Sequence, residues 1–148
     1  MRRLLAFGAG LGAIVLSGCA GGGTGDIKPN SNIVVAYSQG PGHSGTISFT
    51  GNSWKAHRSG STITVTTPTE NGDQITLTTP NPVNIPSVFQ PNQITLQVTI
   101  DGATYTPAGG FTLTVSNASG NFAGTFSGPM TSAAGSIEVS SGTFLVQF

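Results

Sequence analysis

The chain has 148 residues, a formal net charge of +0 and only 7% charged residues, against about 25% in an average soluble protein. So few charges, with no basic cluster, argue against nucleic acid as a partner and against electrostatic docking on anionic lipid. The single cysteine excludes an intrachain disulfide, and solubility must rest on uncharged polar residues, led by 20 threonines.

The first element is an export segment. Arg2 and Arg3 precede a charge-free run from Leu4 to Leu16. That run suits the apolar region of a secretory signal and is too short to span a bilayer, which needs about 20 residues. Leu16-Ser17-Gly18-Cys19 follows at once. It resembles a bacterial lipobox, and the whole segment resembles the lipoprotein precursor class. The resemblance implies cleavage between Gly18 and Cys19, with a diacylglyceryl group joined to the Cys19 sulfur. Two or three acyl chains, at about 0.8 kcal/mol per buried CH₂, would hold the protein to a membrane. Ala20 in place of Asp at the next position implies the outer membrane if the envelope is Gram-negative. The expected plan is therefore a lipoprotein signal peptide over 1–18, a lipid-anchored flexible tether over 19–32, and an antiparallel β-domain over 33–148. Without the signal peptide, Lys28, Lys55 and Arg58 face five acids, for a formal charge of −2.

From Ile33 the hydrophobic period is two. Ile33–Tyr37 is a short apolar strand, and Thr46–Thr50, Thr62–Thr66, Gln74–Thr78, Gln93–Ile100 and Phe111–Val115 alternate Ile, Val, Leu or Phe with Thr, Ser or Gln. Such strands bury one face and wet the other, as antiparallel sheets permit. Asn71-Gly72 and Asp101-Gly102 suit type I′ hairpins. Pro80, Pro82, Pro86 and Pro91 predict a long connection over 81–92, with Val88 and Phe89 as its pins to the core. Phe122, Gly124 and Phe126 share one strand face, as do Phe144, Val146 and Phe148. Gly124 there predicts a bend or a close approach of another backbone. The fold class expected is all-β, an antiparallel sandwich or barrel-like domain.

Trp54-Lys55-Ala56, the Ile-Thr-Leu strands, Gly109-Gly110-Phe111-Thr112-Leu113, Asn121–Phe126 and Gly142-Thr143-Phe144 occur in that order. Over residues 45–148 this resembles a group of small bacterial lipoprotein β-domains of unknown function. The resemblance implies a sandwich or barrel-like fold and carries no activity.

Chemistry-bearing motifs are sparse. His43 and His57 lack the spacing of a zinc site, so no metal or other cofactor is expected. No Gly-x-Ser-x-Gly elbow, phosphate loop or dinucleotide fingerprint occurs. Glu70 and Asp73 flank a turn and read as solvated. The richest cluster is Trp54, Lys55 and His57, with Arg58 beside them. It offers either an aromatic platform for a sugar or peptide, or a core tryptophan at a strand start. No catalytic residue is assigned. The reading is a non-enzymatic, lipid-anchored envelope protein with a structural or binding domain. The partners expected are the membrane and an envelope protein or glycan. The alternatives are a carrier with an apolar barrel cavity and a carbohydrate-binding module.

Overall fold

The structure, a computed structural model, describes residues 30–51 and 54–148. The expected signal peptide, Cys19 and the expected tether up to residue 29 lie outside the described residues.

Among the described residues eleven strands form, all antiparallel: β1 (Asn32–Ser38), β2 (Ser44–Thr50), β3 (Lys55–Arg58), β4 (Thr62–Thr66), β5 (Gln74–Pro80), β6 (Ser87–Phe89), β7 (Thr95–Ile100), β8 (Ala103–Pro107), β9 (Thr112–Asn117), β10 (Asn121–Ser132) and β11 (Gly135–Gln147). The main path runs β2-β1-β11-β10-β8-β7-β5-β4-β3 and curls into a half-barrel. The all-β expectation is met. The two ends of the path, β2 and β3, are consecutive in the chain. Five Cα steps separate Thr50 from Lys55 and span at most about 18 Å, so the curl must bring the two edges toward one another.

The β4–β5–β7 ladder follows the alternation closely. Ile63, Val65, Ile75, Leu77, Leu96 and Val98 are buried, and the Thr, Ser or Gln between them point outward. The two short hairpins have positive φ at both central residues, +53° and +87° at Asn71-Gly72 and +50° and +80° at Asp101-Gly102. That is the conformation a type I′ turn demands.

The long strands β10 and β11 work differently. Gly124 sits opposite Phe144, and Phe126 opposite Gly142. Each ring lies over the glycine of the neighbouring strand. A Cβ added at Gly142 would fall 2.3 Å from the Phe126 ring, and one at Gly124 would fall 2.0 Å from the carbonyl oxygen of Thr114. The predicted close approach at Gly124 is real, with β9 as the approaching backbone. Phe122 and Phe144 pack with ring centroids 4.7 Å apart.

Two irregularities shape this half. Ser140 is an extra residue in the pairing of β11 with both β1 and β10. The buried positions of β11 therefore switch from Ile137 and Val139 to Phe144 and Val146, an odd-to-even change of parity. At Gly128 the sheet forks. Before it β10 pairs with β9, and after it with β8. The Gly128 φ of +118° and a Cβ position 2.7 Å from Phe111 Cα leave room only for glycine.

Three local expectations need correcting. The fold begins before residue 33: Ser31 is buried, its carbonyl accepts from Gly51 N, and its hydroxyl accepts from Gln147 N. β7 begins at Thr95, because Pro91–Gln93 forms a 3₁₀ turn. The 81–92 connection includes β6, which pairs with β9. Phe89 pins it to the core, but Val88 is exposed, since adjacent strand residues face opposite ways.

Candidate functional site

The strand geometry of β3 separates the cluster singled out in the sequence. Trp54 is buried at 5% exposure and faces the core with Ala56. Lys55 and His57 are exposed on the outer face. Trp54, Lys55 and His57 therefore do not form one surface, and the indole is not available as a stacking platform. Arg58 shares the Trp54 side, and its guanidinium lies 4.5 Å from the Phe148 ring centroid. That is within range for a cation–π contact. His43 is exposed in the turn between β1 and β2, where its backbone bonds Gln39 and Gly40. Among the described residues, no group of three His, Cys, Asp or Glu is placed to hold a metal ion.

Among the described residues, surface cavities of about 230, 190 and 230 Å³ occur. Each is smaller than the ~300 Å³ at which small-molecule sites begin. Inside the curled sheet the core includes Phe49, Phe111, Phe122, Leu77, Leu96 and Met130, all fully buried.

The 190 Å³ cavity is the best-built feature. One wall is Thr46–Phe49 of β2, and the other is Glu70, Asn71 and Asp73 at the tip of the β4–β5 hairpin. Two bonds join this hairpin tip to the next one, and one of them falls on Asp73. Its Oδ1 accepts from Asp101 N at 2.9 Å, and Gly102 N donates to Gly72 O at 3.1 Å. The two hairpin tips are thus tied together, with Glu70, Asp73 and Asp101 at one end of the sheet. Tyr37 lies just behind. Its hydroxyl is pushed above its ordinary pKa of 10.0, first by burial and then by the negative charge of Asp101 and Asp73. Gly45 opposite it leaves room for the ring, since a Cβ there would fall 2.6 Å from the Tyr37 hydroxyl oxygen. Tyr105 takes part from β8, accepting a bond from Gln39 Nε2 at 3.1 Å.

The sequence reading placed Glu70 and Asp73 correctly in a turn but missed Thr46, Ser48 and Tyr37 as their neighbours. Only the curl of the sheet brings β2 to that hairpin. No known protein family, curated protein or solved structure matches the chain.

Proposed function

We propose that this chain is a lipid-anchored cell-envelope protein whose β-domain serves a structural or binding role without catalysis. The observation that carries the reading is Leu16-Ser17-Gly18-Cys19, set directly behind Arg2, Arg3 and an apolar run of signal-peptide length. Acylation at Cys19 gives the domain a fixed address, and Ala20 directs it to the outer membrane in a Gram-negative envelope. A filled core and cavities below ligand size support a surface-acting domain over a carrier. The sparsely charged, Thr-rich exterior suits a domain held near a membrane without docking on its headgroups.

Labelling cells with radioactive palmitate, followed by fractionation, tests this. The native chain is expected to carry label and stay with membranes. Cys19→Ala is expected to lose both. Label and retention unchanged in Cys19→Ala would overturn the proposal.

A further inference from the structure

Among the described residues the sheet has three strands paired on one side only, β2, β3 and β6, and these edges are not equally guarded. β3 is four residues long and carries Lys55 and Arg58. β6 is three residues long and follows Pro86. Short length, charge and proline are the ordinary devices that stop an edge from recruiting another strand. β2 has none of them. It is seven residues, Ser44-Gly45-Thr46-Ile47-Ser48-Phe49-Thr50, without charge or proline, and it pairs with β1 without a register shift.

The register says which backbone groups are open. Gly51 N donates to Ser31 O, so odd-numbered residues of β2 bond to β1. In an antiparallel pair the alternate residues point their N–H and C=O away. Thr46, Ser48 and Thr50 therefore offer these groups to the outer side of β2. The first two lie in the cleft that Glu70, Asn71 and Asp73 complete.

Charge defines the occupant. Of the four acids among the described residues, Glu70, Asp73 and Asp101 lie at the two tied hairpin tips, while both Lys/Arg residues are on β3 and neither lines this cleft. We infer that the free edge of β2 is a strand-addition site for an extended peptide segment bearing Lys or Arg at alternate positions. The peptide backbone bonds Thr46 and Ser48, and a basic side chain enters the cleft to meet Glu70 and Asp73. Main-chain bonds supply affinity in such complexes and the side-chain pocket supplies choice. The cleft has room for one long side chain, not for a folded ligand.

This rests on the binding role proposed above and is independent of the anchor. Palmitate labelling and peptide binding therefore fail separately. The test uses the full chain in detergent micelles and a fluorescein-labelled peptide of alternating Thr and Lys, read by fluorescence anisotropy. Saturable binding is expected, weakening as salt is raised. N-methylation of alternate peptide amides, which removes ladder donors, is expected to weaken binding about tenfold. Ser48→Pro is expected to do the same, and Glu70→Gln with Asp73→Asn to weaken it several-fold. An alternating Thr-Glu peptide should not bind. No saturable binding of the Thr-Lys peptide would overturn the inference. So would equal binding of the N-methylated peptide, which needs no change to the protein's fold, or equal binding of the Thr-Glu peptide.

Discussion

The β4–β5–β7 ladder and the β10–β11 pair bury apolar side chains by opposite means. In the first, β-branched and leucine side chains point inward from every second position, and threonines pair outward, as with Thr64 and Thr78 hydroxyls 3.0 Å apart. Each residue there makes the contact its own strand periodicity dictates. In the second, large rings from one strand occupy space that glycines on the next have vacated. Packing there depends on two residues being right together. The ladder is specified by pattern, and the pair by shape.

That contrast can be broken by moving single carbons. Gly124→Ala adds one methyl against the Thr114 carbonyl and the Phe144 ring. It is expected to cost about 3 kcal/mol or more, because the obstructing atom is backbone and cannot turn aside. Ile75→Val removes one methyl from the ladder core and is expected to cost about 1 kcal/mol. Urea denaturation of both variants checks the ordering, and an equal or reversed ranking would undo the comparison. Thr64→Ser keeps its hydroxyl on the outer face and is expected to stay within about 0.5 kcal/mol of the parent in the same assay.

Tyr37 sharpens the comparison at the acidic end. Its folded pKa is raised, so the folded state holds the phenol proton more tightly than the unfolded chain does. The resulting stabilisation is complete below the ordinary pKa of 10.0 and is lost as pH rises through the folded value. Thermal melts are expected to fall on the alkaline side of pH 10.0. Tyr37→Phe should flatten that fall, and an unchanged alkaline slope in Tyr37→Phe would assign the effect to other groups.

Much of the ladder was legible because alternation is local. Ile63 to Thr66 and Ile75 to Thr78 reveal their buried faces by residue type alone, and Asn71-Gly72 names its turn by needing two positive φ angles. The β10–β11 pair was legible only as strands. Gly124 announced a close approach, but neither Thr114 nor Phe144 is near it in sequence. The Ser140 bulge was not visible, since Ser140-Ser141 reads like any exposed pair while it reverses the parity of the strand. Val88 misled because an apolar residue beside a buried Phe89 can still face outward.

The candidate sites divide the same way. The proposed lipobox lies in consecutive residues, so the reading of Cys19 rests on position and neighbours alone and needs no fold. Trp54, Lys55 and His57 are adjacent in sequence, yet strand pleating sends the ring inward and the two basic side chains outward.

By itself the sequence determined the all-β class, the hairpins and the inward faces of the alternating strands, because each depends on residues within a few positions of one another. The tertiary structure alone decided which strand is left at an edge, where the sheet forks, and which carboxylates stand beside the open backbone of β2. Those properties arise from pairing between segments far apart in the chain. No local pattern in Ser44–Thr50 records that its neighbour lies on one side only.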